Sequence, residues 1–184
     1  MTMTVLPWFH PNPGESQIQL DVVPSGVLHA LARGEAHSIS AQFVSPYLMG
    51  PDCMSLWRFR SAQTIGNPLD IPWVTRLIRD PEITMPVGVA GFHGAPDTAG
   101  TVEIGYRVDP AWRRRGYAKR SIEILLAAAR SHPDVETVRA SVRPDNTPSI
   151  ALVTMYGFTP VGEQWDEEDG LETIYELPVS AESA

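Results

Sequence analysis

Between Thr101 and Val108 the chain alternates strictly, with Val102, Ile104, Tyr106 and Val108 on one side. Successive side chains of a strand point to opposite faces, so this stretch predicts a half-buried β-strand. The same period runs through Gln17–Val23, where Ile18, Leu20 and Val22 alternate with polar neighbours. Trp73–Arg79 and Pro86–Gly94 read as two more strands, and the Asp80–Pro81 turn signal between them predicts an antiparallel hairpin. Val135–Val142, Phe158–Trp165 and Leu171–Pro178 complete the strands, the last two separated by the acidic loop Asp166–Gly170.

The period changes after Gly116. Ala118, Ile122, Leu125, Leu126 and Ala129 share one helical face, and His132–Pro133 ends it, predicting a helix from about Gly116 to Ser131. Pro24, Ser25 and Gly26 open a shorter helix through Ala32. Thr147, followed by Pro148, reads as the cap of a third helix. That helix is expected to bury Ile150, Leu152 or Val153, and Met155, and to stop at Gly157. Gly34–Ile71 holds many apolar residues but no clean period, and is expected to be helical in pieces. Residues 1–16 read as an irregular Pro-rich arm, 17–178 as a single domain and 179–184 as a frayed tail. The order of elements predicts a mixed α/β domain around one central sheet.

Composition narrows the chemistry. The formal net charge is −8, from 14 Lys+Arg against 22 Asp+Glu, which argues against a nucleic-acid binder or an anionic-membrane binder. A single cysteine, Cys53, excludes an internal disulfide framework and a Cys-based zinc site, and reads as a small, partly buried apolar residue. His10, His29, His37, His93 and His132 have no metal-ligand spacing, so no metal is expected. No apolar run approaches the roughly 20 residues of a membrane span. The first residues lack a signal-peptide pattern, and a cytoplasmic protein is the expectation.

Against that acidic background, Arg113, Arg114, Arg115, Lys119 and Arg120 crowd the start of the predicted long helix. Cations there oppose the helix dipole, at a cost of a few tenths to about 1 kcal/mol each. The first helical N–H groups lack intrahelical partners, and Gly116 lets a phosphate come close to the backbone. A bound polyanion would turn the conflict into attraction. The alternative is a solvated basic cluster paired with surface carboxylates. GxxxxGK[ST] and strand-following GxGxxG motifs are absent from the sequence, so neither a Walker-type nor a dinucleotide fold is indicated.

Arg113-x-x-Gly116-x-Ala118, after a strand ending in Val108–Asp109–Pro110, resembles the acetyl-CoA pyrophosphate loop of the GNAT superfamily of N-acetyltransferases. Asn146, Ser149 and Gly157–Phe158 are similar to that family's later helix, and EIGYRVDP to the central strand of its ribosomal-protein N-terminal acetyltransferase branch. The resemblance implies a single, mostly antiparallel sheet flanked by helices, with two splayed central strands. It implies acetyl-CoA as cosubstrate, its pyrophosphate on the loop of Arg113, Arg114, Arg115, Gly116, Tyr117, Ala118 and Lys119. The pantetheine arm would pair with the strand carrying Tyr106 and Val108, near Asn146. A primary amine, a protein N-terminus or a small molecule, would be the acceptor. A homodimer stays open.

Acetyl transfer needs a neutral amine and a proton for the leaving thiolate. Deprotonating a peptide α-amine at pH 7 costs only about 1–1.5 kcal/mol, a lysine over about 4. Glu103, facing opposite to Val102 and Ile104, is the base candidate; Ser149 is the acid candidate by its match to the related branch. Many GNAT enzymes carry an acid Tyr four residues before the Gly-Phe pair; that position is Val153 here, and Tyr156 is a second choice. The missing Tyr keeps a second reading open: a non-catalytic coenzyme-A-binding sensor or interaction module on the same fold. His93, after strand residue Phe92, could reach a site. Tyr47, Met49, Trp57 and Phe59 are candidates for an acceptor pocket, against ordinary core filling, and Asp166, Glu167, Glu168 and Asp169 could attract a cationic amine.

Overall fold

The computed structural model describes residues 6–35, 37 and 39–179. The remaining parts of the expected arm and tail lie outside the described residues. The strands are β1 (Trp8–Phe9), β2 (Gln19–Val22), β3 (Arg76–Arg79), β4 (Gly88–Phe92), β5 (Thr101–Val108), β6 (Thr137–Val142), β7 (Thr159–Asp166) and β8 (Gly170–Pro178). The helices are α1 (Ser25–Ala32), α2 (Met54–Gly66), α3 (Tyr117–Arg130) and α4 (Thr147–Met155). They form one eight-stranded sheet in the order β1-β2-β3-β4-β5-β6-β8-β7. All neighbouring pairs are antiparallel except β5 and β6, which run parallel because α3 makes the crossover between them.

Each sheet face has its own core. On one, Ile122, Leu125, Leu126 and Ala129 of α3 and Val153 of α4 pack with Ile78, Ala90, Val102, Ile104, Val138 and Ala140. On the other, Leu28 and Leu31 of α1 and Trp57 of α2 meet Leu77 and Val89. β5 and β6 turn Val102, Ile104, Val108, Val138, Ala140 and Val142 into the first core, while the alternate positions, among them Glu103 and Arg139, lie outside both cores.

Several expectations need correction. The arm is not wholly irregular: Trp8–Phe9 pair with Leu20 and Gln19. Trp8 is fixed by the buried guanidinium of Arg76, which lies 3.5 Å from its ring centroid and donates to the carbonyls of Leu6, Leu20 and Pro72. At the other end, Val179 is buried and its N–H donates to the Glu136 carbonyl, so it continues the folded domain. The cap of α4 is Asn146, whose side chain accepts from the Ser149 N–H at 3.3 Å; Thr147 is already helical. Asn and Thr are both capping residues, and Pro148 fits either first-turn position, so the sequence pattern is degenerate there. Met155 points to solvent, because Val153 takes the buried side of the last turn. Trp57 is core, its indole N–H donating to the Leu48 carbonyl at 2.6 Å, whereas Phe59 is exposed. Cys53 is fully buried and free.

Candidate active site

β5 and β6 pair at only three positions: Thr101↔Thr137, Val102↔Val138 and Glu103↔Arg139. Beyond Glu103, β5 continues only on β4, and beyond Arg139, β6 continues only on β8. The sheet therefore opens between the two strands, and β5 has no strand partner on that edge from Ile104 to Val108, where the Val108 carbonyl is taken by Arg113.

At the far end of that edge stands the arginine-rich turn. Asp109 closes the strand by accepting the Ala111 N–H at 2.9 Å, and a short 3₁₀ turn, Pro110–Trp112, follows. Arg114 and Gly116 both adopt left-handed backbone conformations, at φ 59° and 80°. Such a conformation suits glycine and turns consecutive N–H groups toward one side. The first helical hydrogen bond is from the Arg120 N–H to the Gly116 carbonyl. Among the described residues, none of the N–H groups from Arg114 to Lys119 has an acceptor. This is a cradle of donors at the positive end of a fourteen-residue helix.

The basic side chains divide by their partners. Arg113 Nε donates to the Val108 carbonyl at 3.2 Å, tying the turn to the strand. Arg115 lies over the Trp112 ring at 4.8 Å, and Arg120 donates to the Arg115 carbonyl at 3.1 Å. Lys119 stands 3.9 Å from Glu123. The Arg114 side chain has no polar partner among the described residues. Tyr117 is buried beneath the turn and donates to Asp80 of the β3–β4 connection at 2.8 Å. Burial, with Asp80 beside it, pushes the Tyr117 hydroxyl up to about 12.

On the α3/α4 side of the opening, the Tyr106 hydroxyl is enclosed and lacks a hydrogen-bond partner. Burial raises its pKa, and the Ser149 side chain facing it from α4 works in the opposite direction. A buried hydroxyl left unsatisfied is costly, and commonly marks a place where a ligand or water completes the bonding. Val153 is fully buried in the core and offers no acid. The Tyr156 hydroxyl donates to Glu123 at 2.6 Å, and its pKa is raised by burial and by that carboxylate. Glu123 also takes His10 Nε2 at 2.8 Å; burial opposes its charge, but the hydrogen bonds outweigh it and hold the carboxyl below the ordinary range. Tyr156 thus joins α4 to α3 and to the arm.

The opposite side of the opening is acidic. Glu103 lies at the last β5–β6 pair, with the His93 Nδ1 at 3.6 Å. Asp166, at the end of β7, is close enough to His93 for each to act on the other's titration. Glu172 is nearly buried on β8 and accepts from Gln164 at 2.9 Å. Burial raises its pKa, only partly offset by Gln164, and the carboxylates of Asp166, Asp169 and Glu103 raise it further. Sequence reasoning did not assign Glu172, because a Glu in an edge-proximal strand ordinarily faces water. Among the described residues no cluster of His, Cys, Asp or Glu suits a metal ion, and no helix is long and apolar enough to cross a membrane.

Known proteins are similar to this chain in sequence or in fold. The uncharacterized N-acetyltransferase YjdG of Bacillus subtilis (strain 168) is 35% identical over 72 residues, which is 39% of this chain and 43% of that protein. The chain thus spans less than half the length of this curated relative. A putative ribosomal-protein-serine acetyltransferase from Vibrio cholerae superposes with a TM-score of 0.64 at 15% identity, over 97% of this chain and 99% of that one. The microcin C7 self-immunity acetyltransferase MccE, solved with acetyl-CoA and AMP, superposes with a TM-score of 0.60 at 18% identity, over 88% and 92%. These two share the fold, including the sheet and its helices. Residues 36–159, more than half of the sequence, match the acetyltransferase (GNAT) domain. With the parted β5–β6 pair and the donor-lined turn, that match establishes that the chain belongs to the GNAT acetyltransferase family.

Proposed function

We propose that the protein moves the acetyl group of acetyl-CoA to a primary amine by direct attack on the thioester. The observation that carries this reading is the parting of β5 and β6 immediately after Glu103, in line with the unpaired N–H groups of Arg114 to Lys119. The pyrophosphate would lie on those N–H groups, with Arg114 free to meet it, Lys119 shared with Glu123, and Arg113 holding the turn in place. The pantetheine arm would bond to the open edge of β5 from Ile104 to Val108, satisfying backbone groups as an added strand does. Asn146 would fix the start of α4 beside it.

This threading would bring the thioester to the narrow end of the opening, between two kinds of surface. Ser149 and the enclosed Tyr106 hydroxyl stand on one side, where a proton is needed for the leaving thiolate. Glu103, Asp166 and Glu172 stand on the other, where they favour approach of a cationic amine. A peptide N-terminus or a small amine fits this description, and the fold neighbour from Vibrio cholerae described as a ribosomal-protein-serine acetyltransferase agrees with the former. A cytoplasmic setting goes with acetyl-CoA as cosubstrate.

Acetyl-CoA consumption with a panel of amines, read by thiol release and by mass of the acetylated product, tests the proposal. Turnover with at least one primary amine is expected. Tight acetyl-CoA binding with no acetylation of any acceptor would instead favour a coenzyme-A-binding sensor, the reading to which the buried Val153 lends weight.

A further inference from the structure

We infer that His93 is the catalytic base, the group that takes the proton from the attacking amine, and that Glu103 and Arg60 position and tune it. This rests on the acetyl-transfer reading above and names the residue that reading leaves open.

The main chain of His93 is held from both sides. It follows β4, and its N–H donates to the Glu103 carbonyl at 2.7 Å, so the two residues face each other across neighbouring strands. Its own carbonyl accepts from Arg60 Nη1 at 2.9 Å and from Gln63 Nε2 at 2.7 Å. Arg60 is buried and is itself held by Thr75 Oγ1 at 3.1 Å and Gln63 Oε1 at 2.6 Å. Asp70 bonds both Gln63 and the Ala95 N–H, fixing the chain just beyond His93. The imidazole is thereby carried on a rigid base, although about half of its side chain is open to solvent.

The ring lies over Gly105, whose missing side chain makes the room. A Cβ built there would stand 2.7 Å from His93 Nε2. Gly105 is two residues past the last β5–β6 pair, so Nε2 sits above the stretch of β5 that has lost its neighbour. Neither ring nitrogen makes a hydrogen bond among the described residues; Nδ1 looks toward Glu103 Oε1 at 3.6 Å, leaving Nε2 for an incoming ligand. Gly105 thus gives the ring tip its room beside β5 at the mouth of the opening.

The charged groups around the ring come from three elements: Glu103 of β5, Arg60 of α2 and Asp166 of β7. Crowding by protein atoms lowers the His93 pKa below the ordinary 6.5, Arg60 lowers it further, and Glu103 and Asp166 partly restore it. A lowered pKa favours the neutral imidazole, the form that can accept a proton. In the reaction, Nε2 takes one proton from the acceptor ammonium and returns it to solvent. The freed nitrogen lone pair forms the C–N bond at the thioester carbonyl. The C–S bond then breaks, and the second proton lost from nitrogen ends on the thiolate, giving the N-acetylated amine and free thiol.

The experiment has two arms. NMR titration of the His93 ring in the free protein is expected to give a midpoint below 6.5 that moves lower still in Glu103→Gln, because a carboxylate that favours the imidazolium has been removed. Kinetics of His93→Ala are expected to lose about 10²-fold or more in kcat, with little change in KM for acetyl-CoA, and to be partly rescued by added imidazole. The acid limb of the wild-type kcat/KM profile should coincide with the His93 midpoint and vanish in the variant. A His93→Ala enzyme that keeps its rate and its acid limb would overturn the inference while leaving acetyl transfer standing. So would an acid limb that follows Glu103 and ignores His93. A wild-type protein that acetylates no amine would overturn both.

Discussion

Replacing Gly105 by Ala puts a methyl group where the structure holds the tip of an imidazole. The new Cβ would lie 2.7 Å from His93 Nε2 and 3.3 Å from Cδ2, whereas an ordinary contact begins at 3.4 Å, so the ring tip must retreat by about 0.7 Å. Arg60 and Gln63 hold the His93 carbonyl, so the retreat falls on the side-chain torsions. A displaced rotamer costs about 0.5–1.5 kcal/mol. Gly105 does not have a positive φ, so alanine also restricts the unfolded chain and returns about 0.4–1 kcal/mol. These nearly cancel, and stability should change by less than about 1 kcal/mol. Catalysis is less forgiving, because a misplacement approaching 1 Å can cost on the order of 10²-fold. Gly105→Ala should therefore melt close to wild type while kcat falls roughly 10- to 100-fold, read by thiol release beside thermal denaturation. A variant with wild-type kcat would refute the placement of His93 at the reacting centre. So would a loss of rate that merely tracks lost stability.

Three further perturbations address other parts of the molecule. Tyr117→Phe removes the bond to Asp80 under the turn and should cost about 1–2 kcal/mol at neutral pH. Since the Tyr117 pKa is raised from 10.0 to about 12, its contribution is complete below pH 10 and disappears as pH rises to about 12. The stability gap between wild type and variant should close over that window, and a gap that persists at pH 12 would contradict the assignment. Arg76→Met leaves the carbonyls of Leu6, Leu20 and Pro72 without their donor and should cost about 2–4 kcal/mol in urea unfolding; a change under about 0.5 would show that the arm needs no such clamp. Ser149→Ala should lower kcat about 10- to 100-fold with acetyl-CoA affinity nearly unchanged, and full activity would remove Ser149 as the proton donor.

The stretch from β5 to α4 was legible in the sequence because each element there carries its own signal. β5 and β6 alternate without a break, α3 has one apolar face, and Gly116 marks the turn. The family resemblance rested on the same residues. α2 was hidden for a physical reason: the positions that follow Trp57 into the interior are Arg60 and Thr64, polar residues that break the apolar period. Arg60 is inside because it holds the His93 carbonyl and Thr75, partners that only the folded sheet brings together. His93 was visible as a residue after a strand, but its pairing opposite Glu103 and its seat on Gly105 depend on the β4–β5 register. The five crowded cations differ only through the folded turn, where Arg113, Arg115 and Arg120 brace the backbone and leave Arg114 free.

The central claim is that the opening beside β5 and the donors of Arg114 to Lys119 form one site for acetyl-CoA. Calorimetric titration of acetyl-CoA into the wild type and into an Arg114→Glu/Gly116→Asp double variant tests it most directly. Saturable binding by the wild type is predicted, with loss of that binding in a variant whose circular dichroism is unchanged. Equal affinity in a folded double variant, or no binding by the wild type, would contradict the account.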